Sequence, residues 1–173
     1  MLRANKILLT GTYLTRGEAA ASLKMPGDTA LVQRGVPRMS LMNCPCTCGD
    51  ILVINLDPRA GPAWRIYRRR GALSLYPSYW RDTKCESHFI LWRNQIHWCD
   101  WGDENIWTSS NDIEEKVLEA LTSQFTTYEH VAEKLQEIPW DVLQACHSLV
   151  RRGLAVANIK RRSTEFKASD PKY

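Results

Sequence analysis

Three thiols stand within five residues at Cys44, Cys46 and Cys48, in the string NCPCTCGD. Alternate spacing puts all three on one side of an extended chain. Pro45 and Gly49 supply turn chemistry that lets such a segment curl and aim two sulfurs at one ion, as a zinc knuckle must. Structural zinc takes four ligands. Cys85 and Cys99 flank a predicted hairpin whose ends meet in space, so the ligands are expected among Cys44, Cys46, Cys48, Cys85 and Cys99. Chance burial of single core thiols is a poor account of five cysteines in 56 positions, three of them alternating. His88 competes as a ligand because neutral imidazole binds zinc, which leaves a Cys3His set open. A crowded thiol with a lowered pKa, acting as a redox or nucleophilic group, is the competing chemistry. Cys146 lies inside a helical apolar pattern and reads as a buried small hydrophobe.

The surrounding composition bounds what these thiols can be. The chain has 173 residues, 44% hydrophobic and 24% charged, and no apolar run approaches the roughly 20 residues that span a bilayer. Near the start only Ile7-Leu8-Leu9 is apolar, too short for a secretory signal, so a cytoplasmic location is expected. A reducing compartment disfavours disulfides and favours metal or thiol chemistry.

The elements that must position the cysteines are mostly strands. TALVQRGVPR reads as a short strand closed by Gly35 and Pro37, and DILVINL as another after the cluster. Two hairpins are predicted, one turning at Arg70-Gly71 and one at Arg93-Asn94. From residue 102 the string GDENIWTSSND has no repeating apolar pattern and reads as a linker. Beyond it Ile113, Val117, Leu118 and Leu121 share a helical face; Thr126 and Glu129 form a capping box ahead of Val131, Ala132 and Leu135; and a third helix starts at Pro139 and runs to Gly153, followed by a strand at LAVANI. The expected architecture is α+β: a zinc-braced, β-rich domain over residues 1–104, a winged-helix-like helical domain over 105–160, and a basic, partly disordered tail over 161–173.

Read together, PGDTALVQRGVPRMSLMNCPCTCGDILVINL, YPSYWRDTKC and CESHFILWRNQIHWC resemble a bacterial family classed as a domain of unknown function. Its members carry CPCGCG, then Cys-x-Ser-His-Phe, then Trp-Cys, and its genes sit beside ubiquitin-like proteins and E1-like and E2-like enzymes. The resemblance covers Gly27 to Cys99, with Thr47 standing where the family usually has glycine. It implies a peptidase that trims or removes ubiquitin-like modifiers through a serine and a histidine, here Ser87 and His88, with zinc holding the fold. It also implies a ubiquitin-like protein and its E1-like and E2-like enzymes as partners. Neighbours on a regular strand face opposite ways. Ser87 and His88 can therefore act together only on a bend or bulge, or each with another partner: a different histidine such as His97, or one of Asp50, Asp82 and Asp100.

The alternative function is a non-catalytic zinc-containing adaptor or a nucleic-acid-binding regulator. Residues 1–111 hold fourteen Lys/Arg against nine Asp/Glu, but residues 112–157 hold four against eight, which disfavours phosphate contact by the helical domain. Arg68-Arg69-Arg70 reads as a solvated turn tip. Of seven tryptophans, six lie between Trp64 and Trp107, where they are expected to anchor the core and are rigid enough to frame a groove for an extended peptide.

Overall fold

The computed structural model describes residues 3–99, 110–160 and 163–169, and the chain divides into two compact units, Met1–Asp103 and Glu104–Tyr173. Most of the linker read from the sequence, together with Asp100, Trp101 and Trp107, lies outside the described residues.

In the front unit β1 (Leu8–Tyr13) pairs in parallel with β2 (Asp28–Arg34), and the crossover that a parallel pair needs is α1 (Arg16–Ser22). Thr15 starts that helix with a reciprocal cap to Glu18. β3 (Val36–Asn43) and β4 (Ile51–Asn55) extend the sheet in the order β1-β2-β3-β4. Pro37 does not end a strand, as the sequence reading has it. It lies inside β3 opposite Gln33, where the register slips, and a shifted register tolerates a residue that has no N–H to give. One sheet face buries Ala30, Val32 and Leu41 under Ala19 and Leu23 of the α1 region. The other gives Leu31, Met42, Leu52 and Ile54 to the main core.

β5 (Arg65–Arg69) and β6 (Ala72–Tyr76) form the first expected hairpin; β8 (His88–Trp92) and β9 (Gln95–Trp98) form the second, with β7 (Tyr79–Trp80) added on the far side of β8. Both turns have two residues at positive φ, Arg70 and Gly71 at 49° and 78°, Arg93 and Asn94 at 51° and 64°, the geometry whose twist matches paired strands. Leu73, Leu75, Phe89, Leu91 and Ile96 close the main core, and Cys44 is one of its members.

The second unit contains α2 (Asn111–Ala120), β10 (Thr126–Thr127), α3 (Tyr128–Leu135), α4 (Pro139–Arg151), β11 (Ala155–Lys160) and β12 (Ser163–Ala168), with the strands ordered β10-β12-β11. Val117, Val131, Val142, Ala145, Leu149 and Phe166 form its core, and Cys146 is fully buried among them, its thiol pushed up to about 12 by that burial. Two details differ from expectation. The hydroxyl capping α3 belongs to Thr127, which accepts from His130 N, because the helix starts one residue later than the sequence reading has it, at Tyr128. Residues 163–168, assigned above to a tail, form β12, which pairs along its length with β11 and buries Phe166. No helix among the described residues is long and apolar enough to cross a membrane.

Candidate functional site

The knuckle is the connection between β3 and β4. Asn43 pairs with Ile51, and inside that pair Cys44 N donates to Asp50 O at 2.8 Å while Thr47 N donates to Cys44 O at 3.2 Å. The loop turns through Thr47 at φ 76° and Gly49 at φ 80°. A second loop, closed by Arg81 N donating to Ser87 O at 3.0 Å, brings Cys85 to it between Lys84 and Glu86, both in the left-handed region. Asp50 joins the loops by accepting from Arg81 Nη1 at 2.9 Å and Lys84 Nζ at 3.0 Å, and Lys84, then Arg81, holds its carboxyl below the usual range.

This folding places the sulfurs of Cys44, Cys46, Cys48 and Cys85 all within 4.8 Å of one another. Cys44 Sγ is 3.2 Å from Cys46 Sγ and 3.8 Å from Cys85 Sγ. A tetrahedral ion bound at about 2.3 Å by four thiolates sets its sulfurs roughly 3.8 Å apart, so the four donors fit one metal ion. Burial pushes the Cys44 thiol up, and Cys48 is raised for the same reason. Burial acts in that direction on Cys85 too, but hydrogen bonds from the Ser87 hydroxyl and backbone and from Cys46 and Cys44 outweigh it and bring Cys85 to about 6. The shift at Cys85 is toward the thiolate, the form that ligates.

Cys99 is not in the group. Its N–H donates to His88 O, extending the β8–β9 ladder by one pair, and that register faces it away from Ser87 and the thiols; it is exposed. His88 is not in the group either.

Ser87 and His88 part company by the pleat of the strand. Ser87 is fully buried, with Oγ 3.2 Å from Cys85 Sγ and 3.5 Å from Cys44 Sγ. His88 belongs to the opposite face, where its Nε2 is 3.4 Å from Ser78 Oγ. Ser78 immediately precedes β7, and because Trp80 pairs with His88, Ser78 is a diagonal neighbour of His88 across the ladder. Trp80, 68% exposed, flanks the imidazole at 6.1 Å between centroids. Sequence reasoning did not single out Ser78, although it lies in the YPSYW block; its pairing depends on register. Of the other candidates, Asp50 is engaged by Arg81 and Lys84, Asp82 is exposed, and Asp100 lies outside the described residues. His97 pairs with Ile90 and lies 5.8 Å from the Trp92 ring, and burial lowers its pKa.

A serine hydroxyl within reach of an imidazole is the minimal arrangement for acyl transfer, and the four convergent thiols could hold a metal ion. No curated protein and no solved structure matches the chain. Residues 15–99 match the family model described as bacterial ubiquitination-like system serine protease (BubE), and the resemblance carried by the cysteine, Ser-His-Phe and Trp-Cys motifs is thereby borne out.

Proposed function

We propose that the front unit is a serine-type peptidase that processes or deconjugates a ubiquitin-like protein of its system, with Ser78 as nucleophile and His88 as general base. The observation that carries this reading is the 3.4 Å approach of His88 Nε2 to Ser78 Oγ on the face of β8 away from the thiols. Such contacts are often long without substrate and tighten when it binds. In the reaction His88 Nε2, in the tautomer that leaves it unprotonated, takes the Ser78 proton as Oγ attacks the scissile carbonyl carbon. The imidazolium then protonates the departing amine, and a water activated by the same nitrogen releases the acyl group.

The metal in this reading is zinc, held by Cys44, Cys46, Cys48 and Cys85, and it supplies a structural cross-link between the two loops. Ser87 supports it by donating to the sulfurs. The helix order and three-stranded sheet of the second unit fit a winged helix, and its acidic balance favours a protein contact, with the ubiquitin-like protein or its E1-like and E2-like enzymes as the partners. Thiols of this kind suit a reducing cytoplasm.

The test uses a fluorophosphonate probe and a ubiquitin-like protein bearing a C-terminal extension. Wild type should become labelled on Ser78 and release the extension; Ser78→Ala should do neither. Labelling on Ser87, or undiminished cleavage by Ser78→Ala, defeats the assignment.

A further inference from the structure

A groove of about 540 Å³, within the size range of ligand sites, is connected to the Ser78 segment through Trp64. Its walls come from the start of β3 (Val36, Pro37), the segment after β4 (Leu56 to Arg59) and β5 with the residue before it (Trp64 to Tyr67). The segment after β4 is held in shape from within. The Asn55 amide donates to the carbonyls of Pro62 at 3.0 Å, Asp57 at 3.1 Å and Gly61 at 3.4 Å, and Trp64 N closes the loop onto Asn55 O at 2.8 Å.

Trp64 ties the groove to the nucleophile. It lines the groove, lies against Tyr79 at 5.9 Å between ring centroids, and its Nε1–H donates to Ser78 O at 3.3 Å. One side chain is therefore both a wall and a support for the backbone of Ser78. The lining is apolar where Val36, 54% exposed, meets Ile66 and Trp64. The lining is net cationic: Arg59 is held to the Asp57 carboxylate through Nε at 2.9 Å and Nη2 at 2.8 Å, and Arg65 adds an exposed guanidinium with no carboxylate of its own in the lining, its carbon 5.2 Å from the Tyr76 ring centroid.

Resting on the reading of Ser78 as nucleophile, we infer that this groove seats the substrate polypeptide next to the scissile bond, taking an apolar side chain with an acidic residue beside it. The apolar contact comes from the Val36 and Trp64 walls. Arg65 meets the acid and disfavours a basic residue at that place.

The experiment uses the full chain. Ser78→Ala is mixed with a random peptide library, and retained peptides are sequenced; those peptides are then titrated while the Trp64 indole N–H resonance, assigned with Trp64→Phe, is followed. Retained peptides should pair an apolar residue with Asp or Glu and move that resonance. Val36→Asp and Arg65→Glu, both at exposed positions, should each weaken retention at least tenfold. In the otherwise native enzyme the same changes should raise KM by a similar factor, with kcat within twofold and unchanged melting temperature. Absence of retained peptides, or retention indifferent to both variants, overturns the groove. Cleavage by the native enzyme that ignores both variants sinks the groove and leaves Ser78 standing; groove binding with no cleavage by native enzyme sinks the Ser78 reading and leaves the groove.

Discussion

Ser87 and His88 are neighbours in the chain, yet their side chains occupy different surroundings. Ser87 is fully buried against the sulfurs of Cys44 and Cys85, while His88, half-buried on the other face of β8, approaches Ser78. The pleat dictates this division, since successive side chains of a strand leave by opposite faces. A Ser-His doublet on a strand is therefore not by itself a catalytic pair. In the proposed function the base finds its nucleophile on the adjacent segment at a diagonal position, and the inner hydroxyl, 3.2 Å from Cys85 Sγ, would steady a metal ligand through a charge-assisted bond. On this reading one dipeptide serves two sites on opposite faces of the strand.

The strongest way to break that comparison is to remove each hydroxyl separately. Ser78→Ala should lower kcat at least about a thousandfold, as loss of a nucleophile does, with metal content and melting temperature unchanged. Ser87→Ala should weaken metal affinity by about 10–100-fold, the usual cost of losing an outer partner of a metal ligand, while the metal-loaded protein keeps most of its kcat. Steady-state cleavage beside a chelator competition separates the two. If Ser87→Ala abolishes turnover in fully metal-loaded protein, the division of roles is wrong.

Cysteines on either side of the same strand pair should diverge as sharply. Cys85→Ser removes a ligand and should lower both metal stoichiometry and the stability of the front unit, because metal binding free energy in such sites is folding free energy. Cys99→Ser, on the outer face, should leave both as they were. Elemental analysis with thermal unfolding reads the outcome, and equal loss of metal in the two variants would restore Cys99 to the ligand set.

How much of this could be read from sequence depends on whether each feature is local. The hairpins at Arg70-Gly71 and Arg93-Asn94, the three alternating cysteines and the long helix from Pro139 carry their signals within a few residues. α1 has a weak signal because RGEAAAS is short and has no apolar stripe, and its Thr15 and Glu18 cap is the one local cue. β12 reads as tail in the sequence because STEFKA has a single large apolar residue, Phe166, whose burial exists only once β11 and β10 are beside it. The roles of Cys99 and Ser78 turn on strand register, and a one-residue shift exchanges the faces. Spacing along the chain does not determine it.

Thr47 permits a smaller test of the inner face. It is β-branched and sits at φ 76° in the knuckle, a conformation costing about 1–2 kcal/mol for a residue with a Cβ and open to glycine. Thr47→Gly should relieve that strain, partly offset by the added freedom of the unfolded chain, for a net gain of about 1 kcal/mol and a rise of roughly 4–8 °C in the front unit's melting temperature. A lower melting temperature would mean the Thr47 side chain contributes something that glycine cannot replace.

The same comparison separates the two histidines of the outer face, and its smallest expected effect is the one at His97. His88→Gln should stop cleavage as Ser78→Ala does, whereas His97→Gln, which removes a ring lying against Trp92, should leave kcat within a few-fold. His97 should instead be visible in the pH dependence of stability. Burial lowers its folded pKa below the ordinary value of 6.5. Between the folded and unfolded values the unfolded chain binds more protons, so stability is full above the unfolded pKa and declines as pH falls through 6.5 toward the folded pKa. Thermal melts of the metal-loaded wild type and His97→Gln between pH 7.5 and about pH 5.5, compared so that every other titrating group is common to both, should show a shallower decline in the variant. Parallel melting curves together with a large loss of kcat would make His97, and not His88, the base that Ser78 uses.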